Sequence, residues 1–119
     1  MTNILIIEDE KPLARALELN LNEAGFSTKV VFNGVDGINL LGKETYNLIL
    51  CDLIMPKMDG FTVLAIIKEK KLKTPIVVLS NLSQKDDEKY AKAFGAKDFF
   101  IKSNTPIETI VERIKEILK

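Results

Sequence analysis

The stretch Leu48-Ile49-Leu50-Cys51-Asp52 decides the fold: four consecutive apolar residues, without polar alternation, end on an acid. A run this short and this uniformly apolar suits a strand buried on both faces, which is the situation of a parallel sheet covered by helices. Comparable runs recur at Asn3–Glu8, Ser27–Phe32, Pro75–Ser80 and Asp98–Lys102. Ile, Leu and Val dominate the first and fourth of the five strands as they do the third, whereas Ser27–Phe32 is more mixed and fits an edge.

Amphipathic stretches separate these runs and read as helices. Pro12 suits the first turn of one helix, which Gly25 closes. Asn33-Gly34 marks a turn before a short helix ending near Gly42, and Gly60 opens a third running to about Lys71. Ser83 precedes Asp86-Asp87-Glu88 at the start of a fourth that Gly95 ends, and Tyr90 and Phe94 would anchor it to the sheet. Thr105-Pro106-Ile107-Glu108 reads as a capping box with Pro at the first helical position. Ile107, Ile110, Val111, Ile114, Ile117 and Leu118 then share one face. Strand–helix alternation repeated five times predicts an α/β domain over residues 1–119: a parallel sheet between two helical layers, joined by right-handed crossovers.

Composition narrows the function. The 119 residues carry seventeen basic and seventeen acidic side chains, and this balance argues against direct nucleic-acid binding. No run is long enough to span a membrane, and Met1-Thr2-Asn3 is followed too soon by Glu8-Asp9-Glu10 for a signal peptide. A single cysteine, Cys51, offers no disulfide pair, so a cytoplasmic location is expected. Cys51 should point away from Asp52 into the core. His is absent, which leaves carboxylates, Lys and hydroxyls to perform any chemistry.

In such a sheet the site lies beyond the carboxyl ends of the strands, where the strand order reverses. Glu8-Asp9, Asp52, Ser80 and Lys102 stand at those ends. Each alone is an ordinary loop-entry residue; convergence of all four strand ends on polar groups is the unusual feature. Crowded acids call for a cation, and Mg²⁺ fits carboxylates beside phosphate. Asp52 can act as a nucleophile toward phosphorus, with Lys102 balancing charge and Ser80 hydrogen-bonding a phosphoryl oxygen.

The set Glu8-Asp9, Asp52, Met55-Pro56, Asp59-Gly60, Ser80 and Lys102 resembles, in order and spacing, the receiver domains of two-component response regulators. The resemblance spans the chain and implies a flavodoxin-like, doubly wound, five-stranded sheet of order 2-1-3-4-5. It implies that Asp52 accepts a phosphoryl group from a sensor histidine kinase or a histidine phosphotransfer protein in a Mg²⁺-dependent reaction. Asp9 and Asp52 would then be direct metal ligands, Glu8 would reach the metal through water, and the carbonyl of Ile54 would supply another ligand. Ser80 and Phe99 would be the switch pair, with Phe99 turning inward as the hydroxyl moves toward phosphate, and Lys102 the partner of the phosphoryl group. The face of the fourth helix, fifth strand and fifth helix would carry the signal to an output partner or domain, with Lys85, Asp86, Asp87, Lys89, Asp98, Glu112 and Arg113 on it. Homodimerisation through that face is compatible with the same resemblance. Such a chain is not an enzyme in the usual sense, since it catalyses only its own phosphorylation and dephosphorylation.

Several residues depart from the common pattern. Ser103 follows Lys102 where proline is usual, and Asn81 follows Ser80 where a small residue is usual. Ile54 and Leu82 flank the acceptor and offer nothing to orient a hydrolytic water, so slow self-dephosphorylation is expected. Three other readings compete. A phosphohydrolase of the haloacid-dehalogenase type needs an acid two residues past the nucleophile, where Ile54 stands. A nucleotide or flavin module needs a phosphate-cradling loop, where Glu8-Asp9-Glu10-Lys11 stands. A receiver-like interaction module that no longer takes phosphate would keep the fold without the chemistry.

Overall fold

The computed structural model describes residues 2–81 and 85–119, with nothing stated of the Lys85 side chain. Its strands are β1 (Asn3–Ile7), β2 (Ser27–Val31), β3 (Leu48–Cys51), β4 (Ile76–Ser80) and β5 (Ala96–Ile101). Its helices are α1 (Lys11–Glu23), α2 (Gly34–Leu41), α3 (Gly60–Glu69), α4 (Lys85–Ala93) and α5 (Ile107–Ile117), with a 3-10 turn at Lys102–Asn104. The strands form one parallel sheet of order β2-β1-β3-β4-β5, the expected doubly wound α/β architecture.

The period of two along each strand divides the core. Leu5, Ile7, Ile49, Cys51, Ile76 and Val78 face α2, α3 and α4, together with Val63, Leu64, Ile67 and Ala91. Ile4, Ile6, Leu48, Leu50, Val77 and Leu79 face α1 and α5, meeting Leu17, Leu21, Ile110, Val111 and Ile114. β3 and β4 are buried along their whole length because both of their faces are covered. β2 pairs only with β1 and is half-buried, as its mixed sequence suggests.

Boundaries differ from the sequence reading in instructive places. β1 and β3 end one residue early, yet Glu8 N–H still donates to Val31 O and Asp52 N–H to Ile7 O, both at 3.0 Å. These bonds carry the ladder to the functional residues. β5 starts at Ala96 rather than Asp98, because Gly95, at φ 103°, turns the chain directly from α4 into the strand. Asn33 is the N-cap of α2, accepting from Asp36 N–H, so Gly34 is already helical.

Two expectations fail. The capping box at α5 does not form: the cap position is Pro106, one residue later than expected, so Thr105 lies outside the helix and no side chain caps it. Tyr90 does not anchor α4 to the sheet. It is 54% exposed and meets Phe61 of α3 edge-on at 5.5 Å, while Phe94 is the one packed against the core. Two aromatics four apart lie on one helical stripe, but the stripe here straddles the border between core and solvent. Ser83 and Leu82 lie outside the described residues.

Candidate functional site

Each functional side chain is placed by the end of a strand. Glu8 follows β1, Asp52 follows β3, Ser80 closes β4 and Lys102 follows β5. The order reverses between β1 and β3, since β2 and β3 flank β1 on opposite sides, and the crevice opens there. Asp9, Glu10, Asp52, Ile54, Ser80, Asn81 and Lys102 line a cleft of about 300 Å³. Glu8 lies beneath it, 2% exposed. The strand-end residues singled out from the sequence are therefore brought together.

Asp52 is held from two sides. Its Oδ1 accepts from Leu53 N–H at 2.7 Å and more weakly from Ile54 N–H at 3.3 Å. Its Oδ2 faces Lys102 Nζ at 2.8 Å. The turn leading to α3 locks this arrangement. Lys57 takes a left-handed φ of 68°, and Asp59 caps α3 by accepting from Thr62 N–H. Gly60 N–H donates to Leu53 O at 2.8 Å. A Cβ on Gly60 would lie 2.1 Å from Asp52 O and 2.6 Å from Leu53 Cα, so only glycine lets the helix start against the acceptor's own backbone.

The electrostatics are those of an acid excess. One oxygen from each of Glu8, Asp9 and Asp52 lies within 4.8 Å of the others. Burial pushes the Glu8 carboxyl up to about 7, with repulsion from Asp52 adding to it, against the pull of Glu10 N–H and Lys102. Burial likewise raises the Asp52 carboxyl despite Lys102 and the Ile54 and Leu53 N–H groups. Burial works against the Lys102 charge, yet its hydrogen bonds to Asp52 and Glu8 hold the amine above its ordinary range. One ammonium does not neutralise the acids around it. Glu8 Oε1 sits 2.9 Å from Lys102 Nζ but accepts no well-directed hydrogen bond among the described residues. An oxygen-only, charge-rich set with an under-used buried carboxylate oxygen fits a hard divalent cation.

The remaining sequence candidates divide. Ser80 is fully buried at the cleft. Phe99, expected to turn inward on phosphorylation, already lies in the core on the α3–α4 side, 9% exposed, beside Val78. Ile54 is 58% exposed at the cleft mouth. Cys51 is buried on the opposite strand face from Asp52, and burial pushes its thiol upward, as befits a core residue. Asp98 and Arg113 are paired with each other inside the chain, Nε to Oδ2 at 2.6 Å. The loop after Lys102, which lacks the usual proline, is shaped by the 3-10 turn. Glu10 was missed by sequence reasoning: it contacts Lys102 Nζ at 3.3 Å across 92 residues. Only its place next to Glu8-Asp9 could have signalled it.

Comparison with known proteins agrees with this geometry. The model of the response regulator receiver domain family matches residues 4–115. The response regulator ArlR of Staphylococcus aureus and that of Staphylococcus haemolyticus are each 34% identical over all 119 residues, which are 53% of those proteins' length. The chain thus spans about half the length of the curated relatives it matches. The receiver domain of Francisella response regulator 1452 superimposes with a TM-score of 0.94 at 25% identity, covering 99% of this chain and 97% of that one. A two-component response regulator from Clostridium difficile gives 0.93 at 28% identity, with 99% and 96% covered. The receiver domain of a signal transduction histidine kinase from Syntrophus aciditrophicus gives 0.89 at 31%, with 99% and 90% covered. No helix among the described residues is long and apolar enough to cross a membrane. The chain belongs to the response regulator receiver domain family and is a signalling domain of the two-component type.

Proposed function

We propose that Asp52 is the phosphoacceptor and that a sensor histidine kinase or a histidine phosphotransfer protein is the donor. The observation that carries this reading is the ion pair of Asp52 Oδ2 with Lys102 at 2.8 Å inside an acid cluster that fits a divalent cation. Leu53 and Ile54 N–H groups hold Oδ1, which leaves Oδ2 to attack phosphorus. The Oδ2–P bond forms as the donor's P–N bond breaks, and the electron pair returns to the donor imidazole, which takes up a proton. Asp9, Asp52 and the Ile54 carbonyl would hold Mg²⁺ directly, with Glu8 acting through water. When bound, the ion would screen the approaching anions. Lys102 balances charge on the transferred oxygens and Ser80 donates to one of them.

The acquired phosphate brings about two negative charges. Ser80 and Lys102 are drawn to it, and Phe99, already buried, is retained in the inward position. This biases a two-state equilibrium of the α4–β5–α5 face toward its partner-binding form. The Asp98–Arg113 pair lies on that face and would exchange partners in a homodimer. On this reading the domain turns over no external substrate and works in the cytoplasm, with which its free, buried Cys51 agrees.

The test is intact mass after incubation with acetyl phosphate, with and without Mg²⁺, for wild type and Asp52→Ala. One added phosphoryl group on wild type alone, dependent on Mg²⁺, supports the reading. A wild type left unlabelled by both acetyl phosphate and a phosphorylated histidine kinase would make the domain an interaction module instead.

A further inference from the structure

The Lys102 ammonium has three N–H donors, and the structure commits all three. Asp52 Oδ2 takes one at 2.8 Å, Glu8 Oε2 another at 3.0 Å, and Glu10 Oε1 the third at 3.3 Å. A phosphoryl oxygen that engages Lys102 must therefore displace an existing acceptor. The three are not equivalent. The Glu8 and Asp52 side chains are 2% and 4% exposed, whereas the Glu10 side chain is 54% exposed and makes the longest contact. Asp52 Oδ2 keeps Lys102 until it bonds phosphorus, and water can replace Lys102 around Glu10 but not around Glu8, so Glu10 is the acceptor that yields as the phosphoryl group approaches.

Glu10 is also fixed in place. Its N–H donates to Glu8 Oε2 at 3.0 Å, and its carbonyl accepts from Ala14 N–H at 2.9 Å, so it begins α1 rigidly while its side chain reaches over the cleft mouth. An acid at a helix N-terminus needs no function, since the helix dipole favours it there. The contact with a lysine from the far side of the sheet is what the dipole does not account for.

We propose that Glu10 is a positioning residue that restrains Lys102 in the resting domain and releases it to the incoming phosphoryl group. This rests on the phosphoacceptor reading for Asp52. Exposed ion pairs contribute weakly, so the restraint slows phosphorylation by a small factor, roughly two- to fivefold. A donor that itself displaces the Glu10 carboxylate, such as a docked protein carrying phosphohistidine, escapes that factor; a small diffusing anion does not.

The experiment compares wild type, Glu10→Gln and Glu10→Asp in two assays. The first is the rate of phosphorylation by acetyl phosphate in Mg²⁺. The second is acylation of Lys102 by an N-hydroxysuccinimide ester, read by peptide mass spectrometry, which requires no phosphate chemistry. Urea unfolding of each variant verifies that the fold is intact. Glu10→Gln is expected to quicken both reactions roughly two- to fivefold. Glu10→Asp keeps the mouth's charge but shortens the reach to Lys102, and it is expected to follow Glu10→Gln. Unchanged Lys102 acylation in Glu10→Gln overturns the proposal, as does a Glu10→Asp that behaves like wild type, since mouth charge rather than the Lys102 contact would then be acting. Quickened acylation in a chain that never takes phosphate would leave the restraint standing and remove the phosphoacceptor reading instead.

Discussion

Replacing a buried acid at the centre of this site should make the metal-free protein more stable, not less. Burial pushes the Glu8 carboxyl up to about 7 from its ordinary value of 4.5. At about 1.4 kcal/mol per tenfold change in proton affinity, holding Glu8 ionised above its folded pKa costs up to about 3 kcal/mol. The favourable pull of Lys102 and of Glu10 N–H is already contained in that value. Glu8→Gln mimics the protonated acid, keeps an oxygen for Glu10 N–H, and trims the gain slightly because Lys102 loses one acceptor. The expected stabilisation at about pH 8 without metal is roughly 1–3 kcal/mol. The sign of the pH dependence follows from a raised carboxyl. The Glu8 contribution is fully present below 4.5 and is lost as pH rises through about 7, so wild type weakens more across that window than Glu8→Gln, which keeps only the raised Asp52 carboxyl. Urea unfolding followed by far-ultraviolet circular dichroism suits a chain without Trp. In EDTA the variant should have the higher midpoint. In saturating MgCl₂ wild type should gain more, because a ligand that binds only the folded state stabilises it by mass action. A Glu8→Gln midpoint below wild type in EDTA at alkaline pH would show instead that the buried carboxylate is a net stabiliser.

Other perturbations follow from the same geometry. Lys102→Met leaves Glu8 and Asp52 buried without their ammonium and should cost about 3–5 kcal/mol in EDTA at neutral pH; a loss under 1 kcal/mol by urea unfolding would show that the ion pairs matter little. Gly60→Ala drives a Cβ into Asp52 O and should destabilise by at least about 2 kcal/mol while slowing phosphorylation, measured by unfolding and by intact mass. The phosphorylated domain should lose its phosphate slowly, because Ile54 at the cleft mouth presents no group to orient water; a half-life of seconds, followed by intact mass after donor removal, would contradict this.

The parallel sheet and its two core layers follow from features visible in the sequence, whereas the strand order was implied only by the resemblance to receiver domains. Uninterrupted runs such as Leu48–Cys51 mark doubly covered strands, and their spacing leaves room for one helix each. The site was legible for a related reason: residues at strand ends, such as Asp52 and Lys102, converge by topology alone, without knowledge of any side-chain contact. What escaped depended on tertiary geometry. Glu10 meets Lys102 only because β1 and β5 stand on opposite sides of the crevice and the lysine side chain spans it. Tyr90 follows a good helical pattern, yet its ring meets Phe61 of α3 rather than the sheet. Thr105 has the right chemistry for a cap, but Pro106 takes that position, and a shift of one residue removes the hydrogen bond.

Borohydride trapping probes the phosphoacceptor claim most directly, because it reduces an aspartyl phosphate to homoserine and so records which carboxylate carried the phosphate. After incubation with a phosphodonor and Mg²⁺, peptide mapping should find homoserine at position 52 and nowhere else, and none when EDTA replaces the metal. Homoserine at Asp9 or at another acid, or equal conversion without Mg²⁺, would contradict the account.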